Sequence, residues 1–286
     1  MNTAAPNSFD CKFTDGPSST VKVTANDGDP SNNVGSDSKT VTVSNLPPSL
    51  TITSPPYGQI YPISSATVTF TGSFTDPGTG DTHTCSASWD DSTSSAGVVV
   101  ETNGAGTCTA THTYTAPGVY TMSMTVTDDE GASDTEQWLI VVYDPNGGFV
   151  TGGGWINSPV GAYRPDPTLT GRANFGFVSK YKKGATVPEG QTEFQFQTGN
   201  LNFHSSSYQW LVVAGNKAQY KGAGTINGSG SYGFLLTAYD GSPDRFRIKI
   251  TGASGVVYDN KFGTSDDLDS ADPQAINGGS IVVHKG

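Results

Sequence analysis

Val119-Tyr-Thr-Met-Ser-Met-Thr-Val-Thr127 places a large apolar side chain at every second position. A period of two is that of a β-strand with one face buried. An acidic turn, Asp128-Asp-Glu-Gly131, follows, and then a second apolar run, Trp138-Leu-Ile-Val-Val142. Strand, turn and strand read as a hairpin. The same alternation recurs in Ala66-Thr-Val-Thr-Phe-Thr-Gly-Ser-Phe74, in Glu193-Phe-Gln-Phe-Gln197 and in Arg245-Phe-Arg-Ile-Lys-Ile250. Apolar spacing of the helical kind is nearly absent. Clusters of Gly, Asn, Asp and Pro divide the runs at short intervals, as in a sandwich or barrel. The fold class expected is all-β.

Composition agrees. Of 286 residues only 14% are charged and 34% are hydrophobic, with Thr, Ser and Gly making up the difference. The net charge of −11 is uneven. Residues 1–145 hold sixteen Asp and Glu against three Lys, a balance of −13; residues 146–286 hold twelve Lys and Arg against ten acids, +2. An acidic front half repels nucleic acid and anionic membranes. It suits a hard divalent cation bound through oxygen. No stretch approaches the ~18 apolar residues of a membrane helix, so no membrane insertion is expected.

Two stiff breaks, Asn45-Leu-Pro-Pro48 and Tyr143-Asp-Pro-Asn-Gly-Gly148, divide the chain into 1–46, 47–145 and 146–286. The first two pieces are related. Residues 108–142 run Cys, strand, Pro-Gly, strand, acidic turn, strand, and residues 11–43 repeat that order, so Cys11 corresponds to Cys108. Nothing ahead of Cys11 corresponds to residues 49–107. Piece one is therefore expected to be the back half of a truncated domain. Cys85 and Cys108 are expected to pair, contributing about 3 kcal/mol in the chain-entropy model, with Cys11 lacking its mate. Three free buried thiols are the alternative. A bridge implies export, hence a secreted or cell-surface location. Piece one would otherwise complete its fold with a strand from a neighbouring chain, giving head-to-tail or filament contacts.

Residues 49–144 resemble the PKD-like, immunoglobulin-like sandwich repeats of bacterial secreted proteins. The resemblance rests on Gly72-Ser-Phe-Thr-Asp-Pro-Gly-Thr-Gly-Asp-Thr-His83, Ala87-Ser-Trp-Asp-Asp-Ser92, His112-Thr-Tyr-Thr-Ala-Pro-Gly-Val-Tyr120 and Thr125-Val-Thr-Asp-Asp-Glu-Gly131. It departs at Trp89-Asp-Asp-Ser92, where the family has Gly after the aromatic, as in W-G-D-G, which implies an altered turn. Residues 148–286 look like a C-terminal module seen behind such repeats, through Phe149-Val-Thr-Gly-Gly-Gly-Trp-Ile156, Asn174-Phe-Gly-Phe-Val-Ser-Lys-Tyr-Lys182, Leu201-Asn-Phe-His204 and Gly279-Ser-Ile-Val-Val-His284. The architecture implied is tandem immunoglobulin-like sandwiches followed by a larger antiparallel β-sandwich or jelly roll.

Immunoglobulin strand order puts the turns 76–81 and 128–134 at the end where the domain begins. Asp76, Asp81, Asp128 and Asp134 would meet there beside the 46–48 linker as a calcium site; solvated turn aspartates are the plain alternative. Asp90 and Asp91 fall at the other end and read as turn formers. Asp266, Asp267 and Asp269, with Asp272, form a second acidic run able to hold calcium, without EF-hand spacing. In the last domain Tyr163, Tyr181, Tyr208, Trp210, Tyr220, Tyr232 and Tyr239 are either core or sugar-stacking faces. Tyr208 and Trp210, two apart on a strand, would share a face. Lys180, Lys182 and Lys183 make a basic spot with Tyr181, for an acidic polysaccharide or for solvent. Asn227-Gly-Ser229 matches a glycosylation sequon.

Enzyme motifs are missing. His83, His112, His204 and His284 lack metal-ligand spacing, and no G-x-S-x-G elbow or phosphate loop occurs. The function expected is a non-catalytic extracellular binding or adhesion tail, with calcium-stiffened spacers presenting a domain to a glycan or other cell-surface ligand. A polysaccharide lyase or hydrolase, with His204 and Tyr208 as the suspects, is the alternative. A structural subunit of an extracellular filament is the third.

Overall fold

The computed structural model describes residues 13, 19–26, 28 and 34–286. Cys11 lies outside them, as does much of residues 1–46, so the expected relation of that piece to the sandwich falls largely outside the described residues. What is described there is a hairpin of β1 (Ser19–Asn26) and β2 (Val34–Val41), antiparallel in register. Val23 and Val34 on it are exposed.

Residues 49–143 form two packed sheets. One has the order β3 (Ser49–Ser54), β5 (Thr67–Thr75), β9 (Ala105–Thr113), β8 (Val98–Thr102). The other has the order β4 (Gln59–Pro62), β11 (Ser133–Tyr143), β10 (Gly118–Asp128), β6 (His83–Ser88), β7 (Ser94–Ala96). Every pairing is antiparallel except β4 with β11. The alternation read from the sequence is the packing. Met122, Met124 and Val126 point inward from β10 to meet Val68, Phe70 and Phe74 of β5 in one core. Trp89 is fully buried there, 6.1 Å from Phe70 and stacked on His112 at 5.0 Å. Tyr120, near the start of β10, donates its hydroxyl to the Ala116 carbonyl at 2.9 Å, the tyrosine corner of immunoglobulin-like sandwiches.

Cys85 and Cys108 form a disulfide, with Cα atoms 6.2 Å apart. It joins β6 of one sheet to β9 of the other and sits inside the core. Gly97 lies against it: a Cβ there would come within 2.3 Å of the Cys85 sulfur, so only glycine fits.

The last 140 residues make one sheet rather than two stacked ones. Its order is β19 (Gly255–Asp259), β18 (Arg245–Gly252), β17 (Ser229–Tyr239), β16 (Lys217–Ile226), β15 (Leu201–Ala214), β14 (Glu189–Phe196), β13 (Gly171–Lys180), β12 (Gly148–Ser158), β21 (Gly278–Lys285), with β20 (Gln274–Ala275) also on β18. All neighbours are antiparallel, and β12 to β19 follow chain order. The sheet curls into a half-barrel. The curl is visible in the core, where Phe175 of β13 stacks on Phe246 of β18 at 4.0 Å although four strands separate them in the sheet. The two facing layers of a sandwich are here two walls of one bent sheet. Phe194, Phe203, Tyr220, Phe234 and Tyr258 fill the space between. Asp240 and Asp244 accept hydrogen bonds from the Val283 and Ile281 amides of the edge strand β21, both near 2.9 Å. Those bonds occupy donors that an open edge would expose.

The two units touch. Val119, Leu139, Val141 and Tyr143, on the outward faces of β10 and β11, pack on Trp210 and Val212 of β15, with Leu268 completing the cluster. Tyr181 stacks on Tyr143 at 5.5 Å. Strands β11 and β15 are each apolar on both faces where they meet, which explains the unbroken runs Trp138-Leu-Ile-Val-Val142 and Trp210-Leu-Val-Val213.

Candidate functional site

The turns after β5 and β10 do lie together at the end where the chain enters the sandwich. Asp76, Asp128 and Asp134, three of the aspartates expected there, accept hydrogen bonds from neighbouring groups of the protein. Asp76 accepts from the Gly78 amide at 2.6 Å and faces His83 Nε2 at 3.0 Å, while His83 Nδ1 faces Glu101 at 2.7 Å. Burial alone would lower the His83 pKa, but hydrogen bonds to Asp76 and Glu101 outweigh it and raise it. Asp128 accepts from the Ala132 amide and from Asn45 Nδ2. Asp134 accepts from the Leu50 amide at 2.8 Å. Asp128 thus fastens the incoming linker and Asp134 the start of β3. The carboxylates that converge are Asp81 with Asp129 and Glu130, whose oxygens lie within 4.8 Å of one another. Asp129 also accepts from the Thr82 amide, joining the two turns. Desolvation, then the neighbouring carboxylates Asp129, Asp81 and Asp128, push the Glu130 pKa up. Three carboxylates are a hard-oxygen donor set of the kind calcium takes. The acidic turn 128–131 signalled this cluster, but spacing alone did not say that its exposed Asp129 and Glu130, rather than the buried Asp128, approach Asp81.

At the opposite end, Asp90 and Ser92 take left-handed backbone angles, φ 62° and 70°. These are the two positions where the family turn carries glycine, and the turn keeps a left-handed backbone at both. Asp91 faces His112 Nε2 at 2.7 Å. Asp90 accepts from the Thr121 amide at 2.7 Å and lies beside Asp267 of the half-barrel. Desolvation first, and then the shared hydrogen bond with Asp267, push its pKa up to about 6.

The run 266–272 meets cations of its own chain. Arg247, 2% exposed, makes a two-pronged pair with Asp259 at 2.8 and 3.0 Å and reaches Asp266 at 3.1 Å. Lys249 also pairs with Asp266, Lys217 with Asp269, and Lys261 and Arg245 with Asp272. Asp267 accepts from the Asp269 and Ser270 amides and, across the junction, from the Thr121 hydroxyl at 3.1 Å.

Tyr208 and Trp210 do not share a face. The register of β15 on β16 shifts between them, and a bulge of one residue reverses which side the following side chains take. Tyr208 turns inward, bonded to Thr192 and Ser205; Trp210 turns outward onto the sandwich. Tyr181 exchanges hydrogen bonds with the Leu211 backbone and belongs to the same junction. Lys180 and Lys182 reach Glu189. His204 is on the outer face, 3.4 Å from Glu193, so the sheet separates it from the Tyr208 hydroxyl.

Beyond the junction the outer face of the half-barrel is shallow and polar. Register aligns Trp155, Asn174, Gln195 and Asn202 across β12 to β15. Arg172 lies 4.7 Å over the Trp155 ring and bonds Asn174. Sequence reading passed over this row because each strand contributes one residue to it.

Residues 60–142 match the family model described as PKD domain, and this stretch of the chain is a PKD domain. Such domains are immunoglobulin-like, occur in extracellular proteins and are generally non-catalytic. No curated protein matches the chain. Among the described residues no helix is long and apolar enough to cross a membrane.

Proposed function

We propose that the chain is a non-catalytic, secreted binding module in which the PKD domain holds the half-barrel against a glycan-bearing surface. The observation that carries this reading is the outer row of Trp155, Asn174, Gln195 and Asn202. Side-chain amides beside a half-buried indole supply donors, acceptors and an apolar face, the combination that sugar hydroxyls and ring carbons engage. The lyase reading needs His, Tyr and a basic group to converge, whereas His204 and Tyr208 sit on opposite sides of one sheet. Calcium at Asp81, Asp129 and Glu130 would stiffen the joint with the preceding linker. A glycan array with the full chain tests the function. Specific retention of a glycan class, reduced about tenfold or more by Asn174→Ala with Gln195→Ala, is expected; an empty array rules the reading out.

A further inference from the structure

The PKD domain does not seal against the half-barrel along the whole junction. Beside the Trp210 contact a cleft of about 420 Å³ stays open, a volume usual for small-molecule sites. Register builds its floor. Trp210 on β15 faces Lys221 on β16, Lys221 faces Leu235 on β17, and Leu235 faces Lys249 on β18. Gly233, which has no side chain, and Thr251, whose side chain is short, are paired in the same sheet and also line the cleft. The opposite wall is Tyr57, Val119 and Leu139 of the sandwich.

Three features of this cleft are left over from packing. Gln219 is wholly buried beneath it. Its Nε2 donates to the Thr237 hydroxyl and the Asp266 carbonyl, both at 2.9 Å, which fixes the amide orientation. Its Oε1 has no hydrogen-bond partner. A buried acceptor left so keeps its desolvation cost without the hydrogen bond that would offset it. Second, the cations here outnumber their partners: Arg247 and Lys249 share Asp259 and Asp266, while Lys221 has no ion pair among the described residues. Third, Tyr57 is 65% exposed at the rim, its ring braced edge-on by Trp138 at 5.3 Å.

The geometry points to a binding site for an acidic sugar unit in this junction cleft, with its carboxylate or sulfate on Lys221, a ring face on Tyr57 and a hydroxyl directed toward Gln219. An ammonium without a partner, beside apolar walls, favours one negative charge over a neutral hydroxyl. The exposed aromatic accepts the apolar face of a pyranose. A ligand hydroxyl, or a water it holds in place, would give Gln219 Oε1 its donor. The site rests on the glycan reading above but is separate from the outer row, on β15 to β18 instead of β12 to β15. One wall belongs to the PKD domain, so the ligand would also hold the two units together.

Titration calorimetry of the full chain tests it with three probes of similar length: an oligogalacturonate, its methyl ester, and a sulfated galactan oligosaccharide. At least one acidic probe is expected to bind, with the methyl ester at least tenfold weaker than the oligogalacturonate if carboxylate is the group read. Lys221→Met and Tyr57→Ala should each weaken the acidic probe about tenfold; both side chains are exposed, and an unchanged melting temperature checks the fold. Asn174→Ala with Gln195→Ala should leave this binding intact. Binding that survives Lys221→Met and Tyr57→Ala overturns the cleft; if it then falls with the Asn174 and Gln195 changes, the glycan reading stands alone. No heat from any acidic probe also overturns the cleft, and the array then decides the broader reading separately.

Discussion

Two acidic runs, Asp128-Asp-Glu-Gly131 and Asp266-Asp-Leu-Asp269, are alike in sequence and opposite in structure. Carboxylates of the second meet Arg247, Lys249 and Lys217 of neighbouring strands. The first has no lysine or arginine partner among the described residues; Asp128 and Asp129 take neutral donors from Asn45, Ala132 and Thr82, and Asp81, Asp129 and Glu130 crowd together. A run of acids therefore does not by itself ask for a metal. What matters is whether the fold brings a cation of its own to the same place.

The difference is open to direct attack. The largest effect should come from the second run's anchor. Asp259→Ala leaves the buried Arg247 guanidinium with Asp266 as its one carboxylate among the described residues, beside the Thr264 and Ser265 carbonyls, and breaking a buried pair in this way costs about 3–5 kcal/mol. Urea unfolding should report that loss, equally with and without chelator; a loss under 1 kcal/mol means the pair does not anchor the loop. A smaller effect is expected at the first run. With a millimolar affinity, as in extracellular calcium modules, 10 mM calcium adds about 1.4 kcal/mol. EDTA should then lower the melting temperature by about 2–4 °C. Asp81→Asn should abolish that shift and Asp266→Asn should not; a shift that Asp81→Asn leaves in place moves the ion elsewhere.

The smallest effect concerns Asp90, where the two units meet. Its native carboxyl holds a proton up to about 6, whereas an unfolded one releases it near 3.9. The native state therefore gains below about pH 4, and that gain is lost as pH rises through 6. Asp90→Asn keeps a neutral partner for Asp267 at every pH. Its melting temperature relative to the parent should rise between pH 5 and pH 7.5. A difference that is flat with pH means Asp90 and Asp267 do not interact.

Much of the sandwich was legible because one physical rule sufficed. Alternation in residues 66–74 and 119–127 gave both strands and their inward faces, and these strands appear as β5 and β10. The edge strand β4 was missed, since Gln59-Ile-Tyr-Pro62 has neither length nor alternation to mark it. In the half-barrel, alternation in residues 193–197 and 245–250 marked the strands β14 and β18, but not the curvature: that follows from how Phe175 and Phe246 meet across the sheet, a contact no local pattern encodes. Tyr208 and Trp210 were placed on one face because spacing of two implies it, and a single extra residue in β15 separated them. The junction had left a trace in the runs Trp138-Leu-Ile-Val-Val142 and Trp210-Leu-Val-Val213. A strand apolar at every position needs two apolar neighbours, one on each face.

The sequence by itself determined the all-β class and the sandwich of residues 49–143, and it favoured the Cys85–Cys108 bridge over free thiols, a choice the structure closed. These rest on interactions whose period or repeat is written along the chain. Only the tertiary structure decided which acids meet a cation, which face Trp210 takes, and that Gln219, Lys221 and Tyr57 border one cleft. Those outcomes depend on residues far apart in sequence, and on bulges and curvature that set where a side chain ends up without changing whether its segment is a strand.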